Sequence, residues 1–403
     1  MLESSIGIYV SVPFCRSKCT YCNFASGVYP ASEHARYIAR VIEEVTGARN
    51  WAEKLALDLP HPVDTIYLGG GTPSLLEPEL FERLFGAIRR DFDVAADAEI
   101  TVECAPGQLP QATLDAMASA GVNRVSLGVQ SFIDKEAHES GRLHGRAIVL
   151  DDLRRLRASG ISNLNVDLIA GLAGQTFASW DESLGVLLDS GVPHASVYML
   201  EVDEDSRLGR ELMAGGARYR AGLVPTDDAI AQMYETAISR LESAGLKQYE
   251  ISNFAQPGSE SRHNLRYWQR RPYLGLGLDA SSMLRDREGE FVLRATTTDD
   301  LKGYLEGDTA RETAWLGPER QVEEAWFLGL RTNAGVDPSE LEEEFGTEST
   351  ADSVGVAEGL VGDGLLTQQE GRFRLTPRGR LISNDIFQEF LAETGHEALG
   401  TSG

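Results

Sequence analysis

The chain has 403 residues, 42% of them hydrophobic and 25% charged, proportions of a soluble globular protein with one large domain and room for a smaller one. A formal net charge of −25 repels phosphate and so excludes unspecific binding to nucleic acid or to an anionic membrane. Four cysteines are too few for a disulfide scaffold, which points to a reducing, cytoplasmic setting. Met1-Leu2-Glu3-Ser4-Ser5 lacks the basic segment and apolar run of a signal peptide. No apolar run reaches the roughly 18 residues of a membrane span, which leaves at most peripheral membrane contact.

Strand-length apolar runs occur at Ile6–Val12, Thr65–Leu68, Glu99–Glu103, Arg124–Gly128, Asn163–Ile169 and Ala195–Leu200. Helical patterns separate them at Ala31–Leu55, Pro78–Arg90, Pro110–Ala120, Ala147–Ser159 and Thr176–Ser190. Six such units predict a parallel α/β sheet with right-handed crossovers, met equally by an open doubly wound sheet or an incomplete barrel. In both, function collects at the C-terminal ends of the strands.

Beyond Glu201 the alternation weakens. A helix is expected at Asp227–Ala244 and a strand at Leu246–Ile251, followed by a stretch rich in glycine, proline and aromatics to Ser282. A second pattern then predicts helices at Glu319–Leu330, Asp337–Phe345 and Ala351–Asp363, a hairpin at Leu366–Leu375 and a last helix at Arg378–Glu393. That order is winged-helix-like. The acidic run Glu340–Glu344 favours a docking or lid domain over one that binds DNA. The expected division is a core at 1–245, an extension at 246–316, a C-terminal domain at 317–394 and a disordered tail at 395–403.

Three cysteines crowd the loop after the first strand, in Cys15-Arg16-Ser17-Lys18-Cys19-Thr20-Tyr21-Cys22. Three thiolates suit an iron–sulfur cube with one corner open better than structural zinc, which needs a fourth ligand such as Cys104, and an open corner chelates a bidentate molecule such as an amino acid. Cys104 alone on a strand reads as a buried small hydrophobe. After the second strand stands Gly69-Gly70-Gly71-Thr72-Pro73-Ser74, whose glycines allow close backbone approach and offer N–H groups to a ligand. Glu103, Gln130 and Ser131 end later strands, Asp167 sits within an apolar one, and Arg142 lies between them. Such convergence on one rim favours a ligand site.

Together with Ser126-Leu127-Gly128-Val129-Gln130-Ser131-Phe132, these motifs resemble the radical S-adenosylmethionine (SAM) superfamily, from about Tyr9 to the C-terminal domain. Within it they are similar to the branch of oxygen-independent coproporphyrinogen III oxidases and HemW-type haem chaperones. The resemblance implies a partial (β/α)6 TIM-like barrel with a small winged-helix-like C-terminal domain. It implies a [4Fe–4S] cluster on Cys15, Cys19 and Cys22, with SAM chelating the fourth iron. Tyr9, Tyr21, Gly70, Gly71, Thr72, Glu103, Gln130, Arg142 and Asp167 match positions that contact SAM in the family, and Glu201 falls near another. The family's chemistry is reductive SAM cleavage to a 5′-deoxyadenosyl radical, with electrons from a flavodoxin- or ferredoxin-type protein.

Oxidases of this branch carry a long N-terminal arm and a further cysteine soon after the loop, whereas here the loop continues Cys22-Asn23-Phe24-Ala25. Tyr249–Ala255 and His263-Asn264-Leu265-Arg266-Tyr267-Trp268 resemble the chaperones, the second being their H-N-x-x-Y-W motif. His263 offers an imidazole to haem iron, while Tyr267 and Trp268 offer flat faces to a porphyrin. The expected function is haem binding and delivery to respiratory haemoproteins. The rivals are coproporphyrinogen III oxidase and a HemN-like radical methyltransferase. Asn23, Cys104 in Glu103-Cys104-Ala105-Pro106, and Ser281 depart from the family's usual Asp, Ala and His.

Overall fold

A computed structural model describes residues 5–391. Six parallel strands stand side by side in chain order: β1 (Ile6–Val12), β2 (Pro62–Gly70), β3 (Asp93–Cys104), β4 (Arg124–Gln130), β5 (Asn163–Ala170) and β6 (His194–Met199). A doubly wound sheet reverses its strand order at a switch point. Here the order never reverses, which selects the incomplete barrel. The connecting helices fall close to expectation, at Ser32–Lys54, Pro78–Asp91, Gln111–Ser119, Arg146–Ala158 and Phe177–Asp189, with a short extra helix at Asp134–Glu139.

The two-residue alternation of each strand separates two environments. Ile66, Leu68, Val102, Val125, Leu127, Leu164, Val166, Leu168 and Val197 form one buried apolar set. Helices supply its partners; Pro78–Asp91, for example, buries Leu80, Phe81, Leu84, Phe85 and Ile88. The intervening positions are polar: Thr65 and Tyr67, Glu99, Thr101 and Glu103, Arg124 and Ser126, Asn165 and Asp167, His194 and Ser196. Hydrogen bonds across strands, such as Ser126 to Asp167 at 3.0 Å and Asn165 to Ser196 at 2.9 Å, join this second set.

The same sheet continues at both edges. β7 (Lys247–Gln248) and β8 (Asn253–Ala255) extend it beyond β6, and β9 (Tyr273–Leu276), β10 (Ser281–Arg285), β11 (Val292–Thr297) and β12 (Arg311–Leu316) beyond β1. The strand expected at Leu246–Ile251 is therefore cut to two residues. The chain turns at Glu250, whose carboxylate accepts from Ser252 N at 3.1 Å, and returns as β8, with Gln248 opposite Phe254. Residues 5–267 and 271–315 form one compact unit; residues 268–270 and 316–391 form a second.

The second unit has helices at Pro318–Leu330, Pro338–Phe345 and Thr347–Gly362, then the hairpin β13 (Leu366–Gln369) and β14 (Arg372–Leu375). Trp326 anchors it: fully buried, stacked on Phe390 at 4.9 Å and donating Nε1–H to Ser353 Oγ at 2.8 Å. The single last helix expected from Arg378 is two, Pro377–Leu381 and Ser383–Gln388, because the backbone leaves helical geometry at Ile382. The expected end of that helix at Glu393 and the tail at 395–403 lie outside the described residues.

Candidate functional site

The cysteine loop is a closed structure mounted on the end of β1. Cys15 N donates to Gly27 O at 2.8 Å and Gly27 N to Pro13 O at 2.9 Å, pinching the loop at its base. Ser17 Oγ and Thr20 N reach Gly141 O and Ser140 O at 2.9 and 3.0 Å. Gly141 has φ +94°, and a Cβ there would stand 3.1 Å from Cys19 Cα, so glycine is required for this approach.

Each sulfur has a polar neighbour. Thr72 Oγ1 donates to Cys15 Sγ at 3.8 Å, Arg142 Nη1 to Cys19 Sγ at 3.6 Å, and Ser26 Oγ stands 4.0 Å from Cys22 Sγ. Burial pushes the Cys15 thiol up, the Thr72 and Ser26 hydroxyls pull it back, and Cys22 and Cys19 raise it again, so the three sulfurs share one field. Arg142 Nε is buried without a hydrogen-bond partner among the described residues, a donor left for another acceptor. No three Cys, His, Asp or Glu side chains of the described residues converge on a single ion. A cube does not ask for that, because each cysteine takes a different iron. The donor set therefore fits an iron–sulfur cube. Cys104 stays apart: buried, with burial pushing its thiol up to about 12.

Two N–H groups of the glycine loop do different work from that expected. Gly71 N and Thr72 N donate at 2.8 Å to Val12 O and Phe14 O, so these N–H groups hold the cysteine loop rather than face a ligand. A Cβ on Gly71 would meet those carbonyl oxygens at 2.7 and 2.8 Å, and one on Gly69 would meet the Glu103 carboxylate at 3.0 Å. The motif is a close-packing device that lets β2 end against both the cysteines and Glu103.

Around this rim stand the other residues read from the sequence. Glu103 accepts from Tyr67 OH at 2.7 Å; burial pushes its carboxyl up to about 7, the Tyr67 bond holds it down, and Asp167 adds to the rise. Asp167 accepts from Ser126 Oγ at 3.0 Å and Asn165 Nδ2 at 2.7 Å, and burial raises its pKa too. Gln130 ends β4 at φ +69°, a conformation unusual for a non-glycine residue. Arg142 binds Gly128 O as well as Cys19, and Tyr21 lies in the field of Arg142, Cys19 and Cys22. Tyr9 lies 6.1 Å from Tyr67, ring to ring, on β1. Glu201 is exposed just past β6.

The H-N-x-x-Y-W segment sits at the other end of the strands. It forms the helix Arg262–Trp268, whose first N–H groups, those of Arg262 and His263, donate to the Glu99 carboxylate at 3.0 Å. Arg266, fully buried, pairs with Asp64 near the start of β2. His263 is fully buried: Nδ1 meets Thr65 Oγ1 at 2.8 Å, Nε2 meets Tyr267 OH at 2.8 Å, and the ring stacks on Tyr67 at 5.3 Å. Burial, helped by Arg266 and Arg124, holds its pKa down to about 3, so the imidazole is neutral. In this conformation neither nitrogen is open to an iron. Tyr267 meets Tyr273 edge-on at 4.6 Å, whereas Trp268 belongs to the second unit, where Arg331 covers its ring at 4.4 Å.

Asn23 donates Nδ2–H to Asp203 at 3.0 Å, and Ser281 is exposed on β10, bonded to Thr296 at 2.8 Å. Sequence reasoning missed Tyr67, Glu99 and Arg124. Their signal was the two-residue period that puts them on the same strand face as Thr65, Glu103 and Ser126.

A six-strand parallel sheet in chain order with a three-cysteine loop at its C-terminal rim defines a radical SAM core, and residues 9–187 match the Radical SAM superfamily. Residues 316–382 match the HemN C-terminal domain. The heme chaperone HemW of Bacillus subtilis is 33% identical over 96% of this chain and 99% of its own length. The heme chaperones HemW of Lactococcus lactis and Escherichia coli are 33% and 30% identical over 98% and 96% of this chain, and 99% and 98% of their own lengths. The chain belongs to the HemW family of the radical SAM superfamily. In fold it is similar to the coproporphyrinogen III oxidase HemN of E. coli, with a TM-score of 0.80 and 24% identity over 96% of this chain and 90% of that one.

Proposed function

We propose that this protein is a cytoplasmic haem-binding and transfer protein that carries a [4Fe–4S] cube on Cys15, Cys19 and Cys22, and passes haem to respiratory haemoproteins. The observation that carries this reading is HemW-family identity along almost the whole chain, joined to three thiols and an unpartnered Arg142 Nε on one rim. SAM, when bound through its amino and carboxylate groups, supplies a reductively cleavable sulfonium, with electrons from a flavodoxin- or ferredoxin-type protein. On this chain Glu103 and Asp167 would face the amino group, Arg142 the carboxylate, and Tyr9, Tyr21, Gly70, Gly71, Thr72, Gln130 and Glu201 would line the remainder.

For haem, His263, Tyr267 and Trp268 stay the assigned segment. Iron ligation by His263 then requires its bond to Thr65 or its bond to Tyr267 to break, whichever occupies the ligating nitrogen. The test is titration of haem into reconstituted protein, with coproporphyrinogen, SAM and a reductant in a parallel reaction. A Soret shift lost in His263→Ala, without porphyrin turnover, supports the chaperone reading. Protoporphyrinogen formation would overturn it in favour of the oxidase.

A further inference from the structure

The H-N-x-x-Y-W helix meets the rings of Tyr9 and Tyr67 through His263. We infer that His263 is a positioning residue whose ring, held from both nitrogens and stacked beneath Tyr67, keeps the Tyr67 hydroxyl on Glu103.

Three rings, Tyr9, Tyr67 and His263, lie against one another with centroids 5.3 to 6.5 Å apart. Tyr67 is the middle one, and its hydroxyl donates to Glu103 Oε1 at 2.7 Å. A phenol has two soft torsions, and what fixes them decides whether that bond forms. Above, Gly69 leaves room: a Cβ there would press to 2.9 Å on the Tyr67 ring and 3.0 Å on Glu103. Below, His263 presents a flat face at 29° to the Tyr67 ring. That face cannot rotate, because Thr65 Oγ1 holds Nδ1 and Tyr267 OH holds Nε2, each at 2.8 Å. The helix itself is anchored independently by Glu99 and Asp64. A histidine at the closed end of the barrel thereby sets the hydrogen bonding of a carboxylate at its open end.

The charged and titratable groups facing Glu103 come from every neighbouring element: Tyr9, Tyr67, Arg124, Asp167, Tyr198 and Tyr267. The Tyr67 hydroxyl bonds Glu103 beside the Gly70 N–H, and the Tyr67 bond favours the ionised carboxylate. Losing it moves Glu103 toward the protonated form. The consequence for SAM rests on the proposed placement of its amino group at Glu103; the coupling from His263 to Glu103 does not.

Two measurements separate the two ideas. The carboxyl infrared band of cofactor-free protein, identified as the one absent in Glu103→Gln, reports Glu103 protonation directly. Equilibrium binding of SAM against pH reports the same group through the ligand. Tyr67→Phe is expected to raise the Glu103 midpoint by about half a pH unit or more, and His263→Ala to match it. The double variant should go no further, because both act through one bond. SAM affinity below the midpoint then falls about threefold for each half unit. Thr65→Val, which removes one of the two nitrogen contacts at nearly constant volume, should shift the band in the same direction by less, and covers the case that His263→Ala does not fold. A wild-type midpoint in both Thr65→Val and folded His263→Ala, with Tyr67→Phe shifted, would overturn the inference. Coupled shifts of the carboxyl band in protein that binds no SAM at any pH would uphold the inference and refute the SAM placement instead.

Discussion

The two ends of the barrel are built on opposite terms. At the C-terminal rim, thiols, a buried Arg142 Nε without a partner, a glycine loop and Gln130 at positive φ are held together by a loop that only glycine contacts permit. At the N-terminal end, the helix Arg262–Trp268 is tied to the strands: Glu99 caps it, Asp64 pairs Arg266, and both His263 nitrogens are bonded. The lesson is that thiols and strained backbone gathered at strand ends mark chemistry, while buried ion pairs and capped helices at strand ends mark stability. The H-N-x-x-Y-W segment falls on the second kind of end.

The sharpest way to break this contrast is at the rim. Cys19→Ala should reduce iron and sulfide after anaerobic reconstitution to background and abolish SAM binding, while the urea unfolding midpoint of the apoprotein stays near wild type. Retained brown colour would refute the ligand assignment. The closed end should answer in the opposite currency. Asp64→Ala leaves Arg266 buried without its carboxylate and should cost about 3–5 kcal/mol in urea unfolding, with cluster content preserved in the folded fraction.

Glu99→Ala should cost about 2 kcal/mol by the same measurement, since two helix N–H groups lose their acceptor. Glu103 sharpens the comparison through pH. Its folded carboxyl, raised from 4.5 to about 7 mainly by burial, holds its proton longer than the unfolded one. Stability of cofactor-free protein therefore falls as pH rises across that window, and Glu103→Gln should remove on the order of 1 kcal/mol of the fall. The smallest effect is expected at an exposed departure from the family pattern. Asn23→Asp sets a carboxylate against Asp203 in solvent and should change stability by no more than about 0.5 kcal/mol.

Much of the fold was legible because local rules dictated it. β1 was readable to the residue, and the five crossover helices to within a residue or two, from strand-length apolar runs and helical periodicity. β8 to β12 were not, since these are short strands whose pairing depends on an already formed edge. The expected strand at Leu246–Ile251 failed for that reason: its apolar pattern was real, but the Glu250 turn redirected the chain.

The cysteine spacing by itself pointed to an iron–sulfur cube ahead of zinc, because three thiols in one loop have few chemical uses, and the motifs around it pointed to the superfamily. Only the tertiary structure decided what the glycine loop and the histidine motif touch. Gly71 and Thr72 spend their N–H groups on Val12 and Phe14, and His263 spends both nitrogens on Thr65 and Tyr267. Tyr267 is one helical turn away, but Val12, Phe14 and Thr65 lie far off in sequence and are chosen by strand register, and no periodicity within a segment records which strand will stand beside it.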